Sequence, residues 1–348
     1  VHTHNMTMMD YSREYVIGDE AKPTDFVKPD DQARFQGIVR GNGRVGTRNY
    51  IGVLPSVVCS ATVCRYIADA FNKDLLKRYP NVDGVVGLTQ TSGCAMPAYG
   101  KGFENLQRCL AGYARHPNFY GILFVGLGCE VNQINLMLEN MGLETGPRLQ
   151  TLVIQETGGT EKTVNRGVEI VKEMLPEANL AEREPVSASH LTLGLECGGS
   201  DAYSGITANP ALGAAADLVV RNGGTAVLSE TTEIYGAEHL LTRRAARPEV
   251  GKRLIELIHW WEDYTTRNGA KIDNNPSPGN KAGGLTTILE KSLGAAAKGG
   301  STNLVEVCGY AEPVDAKGLV FMDTPGYDLA SITGMIAGGA NIVCFTTG

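Results

Sequence analysis

The chain has 348 residues, of which 43% are hydrophobic and 20% are charged, a balance typical of a soluble globular protein. A net charge of −7 without a basic stripe argues against nucleic acid as a partner, and no apolar run approaches the ~18–20 residues of a membrane span. Eight cysteines over this length are too dilute for a disulfide scaffold, so we expect reduced thiols in a cytoplasmic protein.

Residues 5–35 show no clear hydrophobic period and are interpreted as a linker. From Gln36 onward, strand-like and helix-like segments alternate, which predicts a mainly parallel sheet with crossover helices. In the first half the predicted strands are Tyr50–Val58, Asp83–Leu88, Ile122–Leu127 and Leu149–Ile154. The predicted helices between them are Ala61–Arg78, Gly102–Ala114, Asn132–Asn140 and Glu161–Leu175.

A polar segment, Pro176–Ser189, separates this half from the next. There the predicted strands are Leu191–Leu195, Thr225–Ser229, Leu304–Val307, Leu319–Met322 and Asn341–Phe345. The predicted helices are Pro210–Arg221, Ala237–Ala245, Val250–Arg267, Leu285–Ala297 and Leu329–Ile336. The chain stops just after an apolar run, where a loop and a helix are expected, so we interpret it as a fragment of a longer polypeptide.

Three apolar, strand-like runs end in a glycine-flanked cysteine, at Cys94, Cys129 and Cys197. Open parallel sheets bind ligands beyond the carboxyl ends of their strands, and thiolates are soft ligands suited to iron or zinc. The alternative is that each cysteine is a small buried hydrophobic residue. Cys59, which also follows a predicted strand, is left between the two interpretations. The cysteines predicted to be core residues are Cys109, Cys308 and Cys344.

The loop after the third run is dense in polar groups, with Glu196, Ser200 and Asp201 close together. Further along, Asn209 is a plausible N-cap, with Pro210 at the first helical position. The start of a helix offers free N–H groups to a carboxylate, so this loop is a candidate for substrate binding. The alternative is an ordinary capped connection between a strand and a helix.

Two other loops carry basic residues. Arg44 and Arg48 lie in a glycine-rich segment and could clamp carboxylates through paired N–H donors; the alternative is that both are solvated. Lys281 lies near a predicted helix start, where the helix dipole disfavours a cation. It therefore reaches solvent, or it abstracts a proton or binds a carboxylate.

Two histidines near the start of the chain, His2 and His4, have a usable metal-ligand spacing. The alternative is a disordered terminus. No Gly-x-Gly-x-x-Gly follows a predicted strand with an acidic residue about 20 positions further on, which argues against dinucleotide binding.

Taken together, these motifs resemble those of the altronate and galactarate dehydratases, hydro-lyases that act on sugar acids. The segments that carry the resemblance are His2–Asn5, Gly43–Asn49, Gly126–Glu130, Glu196–Asp201, Ser204–Pro210, Asn275–Gly284 and Glu290–Gly294. The resemblance implies the end of a β-rich domain plus a linker in residues 1–35, a middle α/β domain in 36–182 that mediates dimerisation, and a Rossmann-like domain in 183–348. It also implies a homodimer and divalent iron, with manganese as a possible substitute.

The implied reaction is β-elimination of water from an aldonic or aldaric acid, which gives a 2-keto-3-deoxy acid. We expect Cys94, Cys129 and Cys197 to hold the metal. One version is an iron–sulfur cluster with three thiolates and one free iron, and the other is a mononuclear site that uses His2, His4 and carboxylates such as Glu130 or Asp201. The residues assigned to catalysis are Lys281 as general base, Glu130 and Asp201. The residues assigned to the substrate are Arg44, Arg48, Asn49, Ser200, Asn209 and Asn280. The larger subunit of sulfolactate sulfo-lyase is similar over the same region, so release of sulfite is the alternative reaction.

Overall fold

The computed structural model describes residues 15–348 of the chain. In chain order the strands are β1 (Arg34–Val39), β2 (Val45–Gly46), β3 (Tyr50–Pro55), β4 (Gly84–Gly87), β5 (Phe119–Gly126), β6 (Leu149–Val153), β7 (Glu184–Ser187), β8 (Thr192–Cys197), β9 (Thr225–Leu228), β10 (Leu304–Cys308), β11 (Gly318–Met322) and β12 (Ile342–Thr346). The helices are α1 (Ala61–Asp69), α2 (Lys73–Leu76), α3 (Lys101–Arg115), α4 (Ile134–Met141), α5 (Ile154–Thr157), α6 (Thr160–Ala178), α7 (Ala202–Ile206), α8 (Ala208–Arg221), α9 (His239–Thr242), α10 (Pro248–Arg267), α11 (Pro278–Ala282), α12 (Ile288–Ala297) and α13 (Asp328–Gly338).

The strands of the described chain form two parallel sheets and one small antiparallel sheet. The first parallel sheet has the order β4-β3-β5-β6, and the second has the order β10-β11-β9-β8-β12. The predicted fold class, a Rossmann-like parallel sheet preceded by a smaller α/β unit, is confirmed. None of the helices in residues 15–348 is long and apolar enough to cross a membrane.

Apolar residues cover both faces of each parallel sheet, because successive strand residues point to opposite faces. In β9, Ala226 and Leu228 pack with α8 and α10 on one face, whereas Val227 packs with Met335 of α13 on the other. In the first sheet, α1 and α6 cover one face and α4 covers the other. This double coverage explains why these strands read as nearly continuous apolar runs.

The two parallel sheets meet at two places. Gly112 of α3 packs so closely on α13 that a Cβ added to it would lie 2.3 Å from the carbonyl oxygen of Ala337. At the amino ends of the strands, the Thr47 hydroxyl donates to the carbonyl of Asn341 at 2.6 Å, and a ring nitrogen of His116 lies 3.0 Å from the carbonyl oxygen of Ala340. These contacts join residues that are far apart in the sequence.

Two features differ from the sequence-based predictions. The helix predicted over Ala61–Arg78 is divided in two, because the side chain of Asn72 accepts hydrogen bonds from the N–H groups of Asp74 and Leu75 and so caps a new helix. The antiparallel sheet β2-β1-β7 was not predicted. Its strand β7 lies within Pro176–Ser189, which sequence analysis interpreted only as a polar separator.

Candidate active site

Acidic residues collect at the carboxyl ends of two neighbouring strands of the second sheet. Glu196 and Cys197 are the last residues of β8, and Glu230 and Glu233 follow β9. All four side chains are buried, between 0% and 5% exposed. Glu230 has φ = 67°, a left-handed conformation that is uncommon in a non-glycine residue, and its N–H donates to the Thr324 hydroxyl at 2.9 Å.

A completely buried lysine lies against this group. Lys298, at the end of α12, has its Nζ 3.1 Å from the sulfur of Cys197 and 3.4 Å from Oε2 of Glu230. Burial alone would lower the pKa of this ammonium, but the negative charges at Cys197, Glu230 and other nearby carboxylates outweigh it, so the pKa is raised. Lys298 is therefore a fixed positive charge at neutral pH.

A second lysine, Lys291, contacts Glu233 of this group. The Nζ of Lys291 lies 2.6 Å from Oε1 of Glu233, and the side-chain amide of Asn275 donates to the same oxygen at 3.2 Å. Lys291 is 8% exposed and Glu233 is 5% exposed, whereas Lys298 and Glu230 are 0% exposed. Within this cluster, solvent and ligands therefore reach Lys291 and Glu233 first.

Two buried carboxylate oxygens lack a hydrogen-bond donor among the described residues, Oε1 of Glu196 and Oε1 of Glu230. The other oxygen of Glu196 accepts a hydrogen bond of 2.7 Å from Ser331. Burial raises the pKa of Glu230; Lys298 opposes this effect, and the charges of Glu233 and Glu196 add to it. Two facing acidic groups with such oxygens can share a proton or bind a cation.

This region contains two sets of potential metal ligands, and within each set one donor atom per residue lies within 4.8 Å of the others. The first set is Cys197, Glu230 and Glu233, and the second is Glu196, Glu230 and Asp328. The atoms of the first set that contact Lys291 and Lys298 already have a cationic partner. The second set contains both residues that carry an unpaired oxygen, Glu196 and Glu230, and carboxylates suit hard or borderline divalent ions. The second set therefore fits a divalent cation better.

Several of the residues predicted from the sequence surround this cluster. The Ser200 hydroxyl donates to the sulfur of Cys197 at 3.5 Å, and the Asn280 amide donates to the Ser200 carbonyl at 2.8 Å. Asp201 accepts a hydrogen bond of 2.7 Å from the N–H of Ser204 and caps α7. Asn209 is not an N-cap as predicted: it lies inside α8 and donates to the carbonyl of Gly294 at 3.0 Å.

Lys281 and the arginine loop lie elsewhere. The side chain of Lys281 is exposed on α11. The loop carrying Arg44, Arg48 and Asn49 precedes β3 and so lies at the amino ends of the strands, at the edge opposite to the loops that follow them. Arg44 donates to the carbonyl of Arg115 at 3.1 Å, and Arg48 lies 3.6 Å from Asp83. The structure thus gives both arginines intramolecular partners and does not bring them to the acidic cluster.

The fully buried Asn49 is also engaged within the chain. Its amide donates to the carbonyls of Asn81 and Ala178 at 2.7 and 2.8 Å, and its side-chain oxygen accepts a hydrogen bond from Arg40. This network holds the start of β3 and leaves no side-chain donor of Asn49 unpaired.

The structure divides the three predicted metal-binding thiols between two places. Cys197 is buried in the second sheet against Lys298, whereas Cys94 and Cys129 follow strands of the first sheet, where Cys59 is their neighbour. Glu130 accepts hydrogen bonds from the Ser56 hydroxyl at 2.8 Å and from backbone N–H groups, and so holds its own loop. His2 and His4 lie outside the described residues.

Sequence analysis missed most of the charged residues of the acidic cluster. Glu230, Glu233, Lys298 and Asp328 belong to no motif that it singled out, and Lys291 lies in the resemblance segment Glu290–Gly294 but was given no role. One signal was available: Ser229-Glu230-Thr231-Thr232-Glu233 follows an apolar run directly, as the cysteine loops do. Lys298 gave no such signal, because cations are ordinary near the carboxyl end of a helix.

This arrangement defines the class of protein: an α/β protein with a buried acid–base cluster at the carboxyl edge of a parallel sheet. Two family models match the chain, "D-galactarate dehydratase/Altronate hydrolase, second domain" over residues 37–179 and "D-galactarate/Altronate dehydratase, C-terminal" over residues 188–348. The chain belongs to the D-galactarate/altronate dehydratase family.

Curated relatives agree with this assignment. Altronate dehydratase of Bacillus subtilis (strain 168) is 37% identical over 314 residues, covering 90% of this chain and 62% of the relative. Galactarate dehydratase (L-threo-forming) of Escherichia coli (strain K12) is 40% identical over 321 residues, covering 90% of this chain and 61% of the relative. The (2R)-sulfolactate sulfo-lyase subunit beta of Chromohalobacter salexigens is 30% identical over 317 residues, covering 90% of this chain and 77% of the relative. The chain thus spans about three fifths of the length of the dehydratases that it matches.

Proposed function

We propose that this protein is a carbon–oxygen lyase that dehydrates a sugar acid of the altronate or galactarate type to a 2-keto-3-deoxy acid. The observation that carries the proposal is the buried cluster at the ends of β8 and β9, in which Lys298 contacts Cys197 and Glu230 while Lys291 contacts Glu233. The names of the dehydratases that are 37–40% identical to the chain supply the substrate class.

The chemistry of the reaction explains why such a cluster is needed. A proton beside a carboxylate is weakly acidic, so its removal requires a base together with positive charge that stabilises the enediolate. Loss of the neighbouring hydroxyl requires an acid. The Lys291–Glu233 pair lies nearest to solvent in the cluster, and its 2.6 Å contact allows it to take or give a proton. The buried Lys298 holds a positive charge behind it.

The divalent iron implied by the resemblance fits this site. Glu196, Glu230 and Asp328 would hold it, since two buried oxygens of this set lack a donor in the described structure. Bound there, the ion supplies a Lewis acid that stabilises negative charge on substrate oxygens. The protein's own part is to exclude water from the carboxylates and to keep Lys298 and Lys291 positioned.

The experiment measures 2-keto acid formation by the full-length protein, prepared anaerobically with Fe²⁺ and reductant, from a panel of aldonates and aldarates. We expect turnover of altronate or galactarate. Glu233→Gln and Lys291→Met should each lower kcat by about 10²–10⁴, the usual contribution of a positioned proton-transfer group. Lys252→Met, at an exposed position of α10, is the matched control and should retain activity.

Two outcomes would contradict the proposal. The first is release of sulfite from sulfolactate without 2-keto acid formation from any sugar acid, which would favour the sulfo-lyase alternative. The second is full activity of both Glu233→Gln and Lys291→Met, which would place the proton transfer outside the acidic cluster.

A further inference from the structure

Three cysteines follow three adjacent strands of the first sheet. Cys59 follows β3, Cys94 follows β4 and Cys129 follows β5, and the strand order β4-β3-β5 places these strands side by side. The strands are parallel, so their carboxyl ends lie at one edge of the sheet. The helix after β3 covers one face and the helix after β5 covers the other, which makes this edge the switch point where open α/β sheets bind ligands.

Hydrogen bonds tie the three cysteine loops together. The N–H of Val58 donates to the carbonyl of Ser92 at 2.9 Å, and the N–H of Asn132 donates to the carbonyl of Gly93 at 3.1 Å. Gly93 has φ = 90°, and a Cβ there would lie 2.5 Å from the carbonyl oxygen of Ser56. The Ser56 hydroxyl in turn donates to Glu130 at 2.8 Å. Each cysteine is thus within three residues of a bond that joins its loop to another.

The three thiols also interact electrostatically with one another. Desolvation raises the pKa of Cys59, and the charge and hydrogen bond of Cys94 and the charge of Cys129 raise it further. All eight cysteines are free thiols, and these three reach the surface: Cys59 and Cys129 are exposed and Cys94 is half-buried. By contrast, Cys64 and Cys308 are buried in the hydrophobic cores.

The spacing of the thiols argues for more than one metal ion. Sulfurs that share one tetrahedral zinc at about 2.3 Å lie about 3.8 Å apart. The sets of donor atoms in the described chain that lie within 4.8 Å of one another do not include these three thiols. At least one pair of these sulfurs is therefore farther apart than binding to a single metal ion allows, which matches a cluster in which each thiolate binds a different iron.

We propose that Cys59, Cys94 and Cys129 bind an iron–sulfur cluster through three thiolates and leave one iron of the cluster without a protein ligand. Cys59 thus takes the position that sequence analysis assigned to Cys197. Its three ligands belong to the first sheet and include no residue of the acidic cluster, so the proposal stands whether or not the proposed dehydration is correct.

The test uses the full-length protein, purified anaerobically and reconstituted with Fe²⁺ and sulfide. We expect about four acid-labile sulfides per chain with the visible absorption of a [4Fe–4S] cluster, about four irons that remain with the sulfide, and one further iron where the acidic cluster also holds its divalent ion. Cys59→Ser, Cys94→Ser and Cys129→Ser should each lose most of the sulfide. Cys197→Ser and Cys109→Ser should keep the sulfide, because Cys197 lies in the acidic cluster and Cys109 lies on α3.

The wild-type stoichiometry decides the matter even if a serine variant does not fold, which circular dichroism would show. One iron or zinc without sulfide would overturn the proposal, as would a disulfide between two of the three cysteines in protein that binds no metal. Full retention of sulfide by folded Cys59→Ser together with its loss in Cys197→Ser would overturn the assignment of Cys59.

Discussion

The ammonium of Lys298 lies 3.1 Å from the sulfur of Cys197, although 101 residues separate them in the sequence and both side chains are buried. The same ammonium lies 3.4 Å from Glu230, whose other oxygen has no donor in the described structure. Lys298 therefore offsets negative charge at the ends of both β8 and β9, while Lys291 is paired with Glu233. Removal of Lys298 should be felt in stability as well as in activity.

We expect Lys298→Met to lower the free energy of unfolding by about 3–5 kcal/mol, because it leaves buried acidic groups without their cation. Methionine has a similar length and is apolar, so lost volume contributes little. The measurement is the denaturant midpoint at neutral pH. Lys252→Met, at an exposed position, should change the free energy by no more than about 0.5 kcal/mol. A Lys298→Met variant as stable as its control would show that Lys298 does not compensate the carboxylates.

A second prediction compares two lysines that are ten positions apart. Lys281→Met should keep most of the turnover in the full-length protein, because Lys281 is exposed, whereas Lys291→Met should lose it. The assay is the initial rate of 2-keto acid formation at saturating substrate, with the iron content of each variant measured in parallel. Loss of turnover in Lys281→Met at unchanged iron content and unfolding midpoint would instead support the general base predicted from the sequence.

The parallel strands could be predicted because burial on both faces makes each a short apolar run between turn signals. The antiparallel pair β1 and β7 could not, since it joins residues such as Gln36 and Pro185, which are far apart in sequence and show no apolar run. The same limit applies to the site. Glu196 and Cys197 follow a recognisable strand, whereas Lys298 belongs to a helix whose place against β8 depends on tertiary packing.

The arginine loop shows a different limit, which concerns position rather than residue type. Arg44 and Arg48 carry the chemistry that binds carboxylates, but their loop precedes β3, and a loop that precedes a parallel strand lies at the amino edge of the sheet. The order of loop and strand was visible in the sequence, so the position could have been predicted even though the contacts with Arg115 and Asp83 could not.

A third prediction concerns the packing of α3 on α13. Gly112→Ala should destabilise the protein by about 1–3 kcal/mol, because the new methyl group would lie 2.3 Å from the Ala337 carbonyl oxygen and the backbone must move. Gly102→Ala, on the same helix with open space around it, should instead stabilise the protein by about 0.5–1 kcal/mol. Thermal unfolding of both variants checks this. Equal midpoints would mean that the two helices do not pack closely in solution.

The last prediction is a pH dependence that arises at the junction of the two sheets. Burial lowers the pKa of His116 from its ordinary 6.5 to about 4; its hydrogen bond with the Ala340 carbonyl opposes this, and the charges of Arg44 and Arg40 add to it. Above pH 6.5 the ring is neutral in both the folded and the unfolded chain. Below that pH the unfolded chain takes up a proton that the folded chain does not, so stability falls until the pH reaches about 4.

The contribution of His116 to the free energy of unfolding should therefore fall by about 2 kcal/mol between pH 7.5 and pH 5, at about 1.4 kcal/mol for each pH unit below the unfolded pKa. His116→Gln should be less stable than the wild type at pH 7.5 but should lose less on acidification, since glutamine does not titrate. His259→Gln, at an exposed position of α10, should keep the wild-type pH dependence. If the urea midpoints of the wild-type protein and of His116→Gln fall by the same amount between pH 7.5 and pH 5, the assignment is contradicted, because another group would then carry the proton uptake.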